Sequence, residues 1–208
     1  MGITMEVARL KLDIDTKEIV KSIFDCSKHW ESRSNDYPFF TLGKSAYLDG
    51  KTDAYYKDSE WLNDILLDHF SDLYESVINA LQEELEESIE LALDLALPGF
   101  HIFPSDPKFL TMAGNWHQDY PHHTLGLGDI DPLSFTVAIQ LPKSGGGMDY
   151  MDEFHQPQHL GYNEGDLILH EGLTIHRIAG LKAYVPNEYR ITFQGHIIRR
   201  DNILEVFW

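Results

Sequence analysis

The apolar residues of this chain change their spacing once, and that change limits what the chain can fold into. Between Glu60 and Glu87, the residues Leu66, Phe70, Leu73, Val77, Leu81 and Leu85 recur at three- and four-residue steps, the stripe of an amphipathic helix. From Ile89 the period becomes two, through Leu91, Leu93, Leu95 and Leu97. Alternate side chains of an extended segment share a face, so this run reads as a strand. Pro98-Gly99 breaks it before Phe100-His101-Ile102-Phe103. Short strands are then expected at Ser134–Leu141, Gly147–Tyr150, Asp166–His170, Thr174–Ala179 and Tyr189–Ile198, separated by Gly- or Pro-containing connections. The pattern implies an α+β chain in which an N-terminal helical layer covers an antiparallel sandwich or small barrel.

Ahead of the long helix, Val7 to Ile14 alternates like an edge strand, and Asp15 or Thr16 can cap a short helix reaching about Phe24. From Ser27 to Lys57 aromatic, Ser, Asp and Gly residues follow no steady period and predict irregular coverings. With 208 residues the chain has the size of one domain. Residues 1–97 are expected to be mainly helical support and 98–208 the β-barrel core.

A formal charge of −18 would repel phosphate backbones and anionic lipid, so neither nucleic acid nor a membrane surface is an expected partner. The single cysteine, Cys26, has no partner for an internal disulfide and belongs to no Cys/His zinc spacing, which fits a reducing compartment. The segment Met1–Glu6 lacks a basic stretch and an apolar core, and Glu6 stands where acylation at Gly2 would want Ser or Thr. No run is long enough to span a bilayer. A cytoplasmic location is the expectation.

Two histidines and one carboxylate on one face of an iron ion leave three positions open for O2 and an organic co-substrate. The shortest sequence form is His-x-Asp with a distant second histidine. In Asn115-Trp116-His117-Gln118-Asp119, positions 117 and 119 point the same way from an extended segment and can converge on one ion. With 11 histidines in the chain the triplet alone is weak, and His29-Trp30-Glu31 is a rival. That rival lies in the irregular N-terminal region, with no strands around it to present a second histidine.

The segment C-terminal to His117 and Asp119 is more informative. Gly165-Asp166-Leu167-Ile168-Leu169 reads as a strand, Glu171-Gly172 as a turn, and Thr174-Ile175-His176-Arg177-Ile178 as another strand, with Arg190-Ile191-Thr192-Phe193 beyond. From about Pro98 to Arg200 the chain resembles the iron(II)/2-oxoglutarate-dependent oxygenase superfamily, whose core is a double-stranded β-helix of the jelly-roll or cupin-like type. The resemblance implies a single oxygenase domain over residues 1–208. It implies that His117, Asp119 and His176 hold Fe(II) and that Arg190 binds the distal carboxylate of 2-oxoglutarate, with Thr192 sharing it. O2 would be the oxidant, and succinate and CO2 the co-products. Arginine suits the task because its planar fork grips a carboxylate with two bonds and keeps its charge. Related halogenases replace the carboxylate ligand by Gly or Ala, so an intact Asp119 implies hydroxylation, with desaturation, epoxidation or cyclisation as alternative outcomes.

Competing readings are specific. His170 ends a strand six residues before His176 and is the other candidate for the distal ligand. The alternation of Arg190, Thr192, Gln194 and His196 against Ile191 and Phe193 fits either a polar site wall or solvent exposure. Trp116, Tyr120, His122 and His123 flank the metal motif, and Met148 and Tyr150 come after the glycines at 145–147; these six are candidates to face a substrate. A barrel with long loops suits a small metabolite, such as an amino acid or natural-product intermediate, and the acidic balance favours a cationic one through steering. A cupin-like metalloenzyme that does not use 2-oxoglutarate is the main alternative function. The sequence does not define an oligomeric state.

Overall fold

The computed structural model describes residues 7–34, 38–50, 52–110, 114–128 and 131–208; Met1–Glu6, on which the leader and acylation readings fall, lie outside the described residues. The chain runs through β1 (Ala8–Lys11), α1 (Thr16–Asp25), β2 (Glu31–Ser34), β3 (Pro38–Leu42), α2 (Ala46–Asp49), α3 (Asp53–Leu85) and β4 (Ile89–Leu91). It continues through β5 (Gly99–Pro104), α4 (Pro121–Leu125), β6 (Leu133–Gln140), β7 (Met148–Met151) and β8 (Pro157–Leu160). The last elements are β9 (Asp166–Glu171), β10 (His176–Ile178), β11 (Tyr189–Arg200) and β12 (Ile203–Phe207).

Two sheets result. The large one runs β1-β9-β6-β11-β5-β3-β2, with β12 pairing β11 and β4 pairing β12; the small one runs β10-β7-β8. β11 is the spine, because its long edge pairs with β6 on one side and with β5 and then β12 on the other. A closed barrel was the expectation, and here the structure differs: the sheets face one another without joining into a closed ring. Among the described residues outside the named strands, one bridge, between His117 and His176, ties the segment before α4 to the small sheet.

The dry core lies on the outer face of the large sheet, beneath α3. Leu66, Phe70, Leu73, Tyr74, Val77 and Leu81 bury there against Phe100, Phe135, Val137, Ile191 and Phe193. The Tyr74 ring meets Phe193 edge-on at 5.2 Å, and Phe70 lies 4.7 Å from Phe100. Burying one such ring stabilises the fold by roughly 2–3 kcal/mol, so this interface fixes which face of β11 points outward. The period-two alternation of β11 then sends Arg190, Thr192, Gln194 and His196 to the inner face.

The helix begins earlier than its apolar stripe suggested, because the Thr52 hydroxyl accepts from Tyr55 N at 3.2 Å and caps it. It also breaks at Phe70, whose backbone leaves the helical region at φ −133° and ψ 22°. The strand expected through Leu97 stops at Leu91. Beyond it, Asn63 on α3 donates to Leu95 O and accepts from Leu97 N, and the Tyr55 hydroxyl accepts from Ala96 N. Side chains therefore satisfy the backbone there in place of a ladder. Residues 1–97 also supply β1 to β4, so this segment is more than helical support.

Candidate metal centre

A cavity of about 440 Å³ opens between the sheets and is lined from both. His117, Asp119 and His176 converge in it, each offering one ligand atom, all within 4.8 Å of one another. His117 Nε2 lies 3.8 Å from Asp119 Oδ1, and His176 Nε2 lies 3.7 Å from Asp119 Oδ2. The backbone brings them together. His117 N donates to His176 O at 3.0 Å and His176 N to His117 O at 2.9 Å, a two-bond bridge that holds the rings 4.3 Å apart.

Asp119 N donates to Gly172 O, and Gly172 N to Pro132 O, each at 2.8 Å. Gly172 is required at this crossing, since a Cβ would sit 2.7 Å from the Pro132 ring. Arg177, next to His176, stacks over Trp116, next to His117, at 4.3 Å and bonds Asp149 at 3.1 Å. The two histidine-bearing segments are thus tied through side chains as well as backbone.

Tautomers are set by the partners. His117 Nδ1 faces Asn115 O at 2.9 Å and His176 Nδ1 faces Thr174 O at 2.8 Å. A carbonyl can only accept, so both Nδ1 atoms carry hydrogen and both Nε2 lone pairs are free to bind a metal. Burial, reinforced by His170, lowers the His176 pKa to about 4, so the ring is neutral near pH 7. For Asp119 burial opposes ionisation, but His196, His176, His170 and the Ser134 hydroxyl outweigh it and hold the carboxyl down at about 2. Two imidazoles presenting Nε2 and one carboxylate are a donor set for a divalent transition metal.

The rival and flanking candidates occupy other places. His170 is buried and its ring packs 4.5 Å from His176, but its Nδ1 faces Glu171 O and it stands outside the triad. His29 sits on a short helical turn against Trp61, and Glu31 pairs with Lys44 and Arg33. Of the six candidate substrate residues, Tyr120 and Met148 line the cavity and Trp116, His122, His123 and Tyr150 do not. His122 is buried on α4.

Arg190 is buried at 6% exposure on the inner face of β11. Its Nε donates to Gly146 O at 3.0 Å and its Nη1 to Thr192 Oγ1 at 3.3 Å. Among the described residues no carboxylate forms an ion pair with it. Burial pulls its pKa below the ordinary value, yet a guanidinium keeps its proton. A buried cation without an acid is costly unless an anion arrives. Tyr162, whose phenol is pushed up to about 12 mainly by burial, lines the cavity in the same region.

Several lining residues carried no signal of their own in the sequence: Tyr47, His101, Ser134 and Trp208. His196, by contrast, was visible through its alternation with Arg190 along β11. His101 bonds the Tyr47 hydroxyl at 2.8 Å, and burial with the nearby Arg190 charge lowers its pKa to about 3.

No family model matches the chain, and no curated protein matches it in sequence. Solved structures do. An N-substituted L-amino acid dioxygenase from Burkholderia ambifaria, in complex with alpha-ketoglutarate, is 12% identical, with 98% of this chain and 86% of that chain covered at a TM-score of 0.62. An alpha-ketoglutarate-dependent carbocyclase of nogalamycin biosynthesis, SnoK, is 12% identical over 92% of this chain and 79% of its own, at 0.55. A 2OG-Fe(II) oxygenase family protein from Burkholderia pseudomallei is 10% identical over 91% and 83%, at 0.54. The chain has the double-stranded β-helix fold of these structures.

Proposed function

We propose that this chain is an Fe(II)- and 2-oxoglutarate-dependent oxygenase that hydroxylates an unactivated C–H bond of a small molecule. One observation carries the reading: a His-Asp-His triad with both Nε2 atoms free shares its cavity with a buried arginine that has no acid partner among the described residues. The donor set fits ferrous iron, and the unanswered guanidinium fits a dicarboxylate co-substrate. His117, Asp119 and His176 would hold the iron. Arg190, with Thr192, would hold the distal carboxylate of 2-oxoglutarate. When bound, iron with 2-oxoglutarate and O2 supplies the oxidising power, with succinate and CO2 as co-products.

The chain's own residues bind, orient and enclose. Arg190 has used two of its five N–H groups on Gly146 and Thr192, which leaves three for a two-bonded carboxylate. The Asn115 and Thr174 carbonyls fix the rings of His117 and His176 with Nε2 inward. Asp119 stays ionised, so metal binding at neutral pH displaces no proton from it. A cavity of about 440 Å³ suits a metabolite-sized substrate. The named activities of the similar structures, a dioxygenase and a carbocyclase, keep cyclisation and other oxidations as alternative outcomes on the same site. The reading takes residues 1–208 as one catalytic unit, without nucleic-acid or membrane partners. No helix among the described residues is long and apolar enough to cross a membrane. The lone buried thiol of Cys26 accords with a cytoplasmic setting.

The test is an anaerobic titration of the protein with Fe(II) and 2-oxoglutarate. The visible charge-transfer band of the chelate is expected in the wild type and absent in His117→Ala. Iron binding without any response to 2-oxoglutarate would favour the cupin-like alternative and overturn this reading.

A further inference from the structure

Ser134 opens β6 within a polar cross-strand row of the large sheet, paired in register with His170 on β9 and with His196 on β11. Its Oγ lies 2.6 Å from Asp119 Oδ2 and 3.0 Å from His196 Nδ1. A hydroxyl has one proton to give, and an ionised carboxylate can only accept. The proton therefore goes to Asp119, and Oγ must accept from His196, whose Nδ1 carries hydrogen. The direction of the chain is set: His196 donates to Ser134, and Ser134 donates to Asp119. The second bond is short and charge-assisted, the strong kind, and Ser134 is 3% exposed on a strand held from both sides.

We propose that Ser134, itself oriented by His196, is a positioning residue that fixes the rotation of the Asp119 carboxylate. The inference rests on the iron-binding reading above. With Oδ2 engaged by Ser134, Oδ1 is the oxygen left free, so Asp119 would hold the ion through one oxygen. Three single-atom protein donors would leave open positions on the ion for a chelating co-substrate and O2. A carboxylate free to turn could bind through both oxygens and close one of them. Neither Ser134 nor His196 touches the reacting atoms on this account; both act through Asp119.

The test is calorimetric titration of the full chain with Co(II), which needs no turnover. Ser134→Ala is expected to weaken binding by about 10- to 100-fold, the usual cost of losing a partner that orients a metal ligand, whereas Ser134→Thr, which keeps the hydroxyl, stays within about threefold. His196→Leu is expected to weaken binding by less, and His196→Asn, with a donor at the same position, to restore it. Because His196 acts only through the hydroxyl, the Ser134→Ala/His196→Leu double variant should bind no worse than Ser134→Ala alone. Additive losses, no rescue by Thr, or wild-type affinity in Ser134→Ala would overturn the inference. If Ser134→Ala does not fold, as judged by circular dichroism, wild-type affinity in His196→Leu would overturn it instead. Failure of the wild type itself to bind Co(II) is a separate outcome and would remove the iron reading.

Discussion

Replacing Arg190 by Met separates the two roles of a buried cation, its burden on the empty protein and its use for a ligand. Arg190 is 6% exposed, donates to Gly146 O and Thr192 Oγ1, and has no acid partner among the described residues. Removing it relieves the desolvation of a buried charge but leaves the Gly146 carbonyl and Thr192 hydroxyl short of a donor, at about 1–3 kcal/mol each. These effects oppose, so the ligand-free Met variant is expected to melt near the wild type. Binding tells a different story. Two charge-assisted bonds to a carboxylate are worth about 1.5–3 kcal/mol each. Near the low end, about 3.4 kcal/mol corresponds to a Kd for 2-oxoglutarate raised about 300-fold. At a concentration 100 times the wild-type Kd, the ligand stabilises the wild type by about 2.7 kcal/mol and the variant by about 0.2 kcal/mol. The assay is thermal unfolding of metal-loaded protein with and without 2-oxoglutarate. A Met variant that kept the wild-type shift would refute the assignment, and one that melted far lower without ligand would show Arg190 to be structural.

The competing distal ligand is tested directly: His176→Ala should abolish Fe(II) binding, and His170→Ala should retain it within about tenfold, because an imidazole outside the triad can act only on its neighbours. The buried histidines also predict acid sensitivity. His101 has its pKa lowered from 6.5 to about 3. A depressed histidine takes up protons more readily when unfolded, so its stabilising contribution is complete above about pH 6.5 and declines as the pH falls towards 3. At pH 5 His101 alone costs about 2 kcal/mol, and His176, lowered to about 4, adds to the same window in the metal-free protein. Urea midpoints at pH 7.5 and 5 check this: the decline should shrink in His101→Phe, and an equal decline in wild type and variant would refute it.

The parts of the fold legible in sequence were those where one periodicity acts alone. The α3 stripe and the strands β5, β6, β9 and β11 obey spacings of 3.6 and 2, and their apolar faces meet in the core beneath α3. The Ile89–Leu97 run misled because period two was read as a ladder, while Asn63 and Tyr55 supply its hydrogen bonds from 32 to 41 residues upstream. β8, with the sequence Pro-Gln-His-Leu and largely exposed, has no apolar face to announce it. At the site, His117, Asp119, His176 and Arg190 were legible through spacing and resemblance. Ser134 was not: a serine at the start of a strand looks like any other until register sets it beside His196 and the turn at Gly172 brings Asp119 to it. The alternation along β11 offered both a polar wall and a solvated face, and only the packing of Ile191 and Phe193 against α3 decides which.

That same distinction between surface and interior bears on the inference from net charge. The −18 balance suggested a cationic substrate, but much of it is displayed on the outer surface of α3, where Asp64, Asp68, Asp72 and Glu75 are exposed. The cavity has a different character. Its lining holds Arg190, Arg177, whose charge is answered by Asp149, and the histidines 101, 117, 170, 176 and 196, of which 101 and 176 are held neutral by burial, with Asp119 as the carboxylate among the described lining residues. Surface charges act through water and are screened beyond about 8–10 Å in physiological salt, whereas a buried guanidinium acts at contact in a poor dielectric. The interior therefore decides binding, and the outer field only slows the approach of an anion. A cationic substrate would find Asp119 already committed to the metal and no second acid among the described lining residues to answer it. What the cavity offers instead are neutral polar groups, Tyr47, Thr136, Tyr162 and Gln194, with the rings of Phe103 and Trp208. Under the proposed function, such a lining is expected to favour an uncharged polar small molecule over a basic amine.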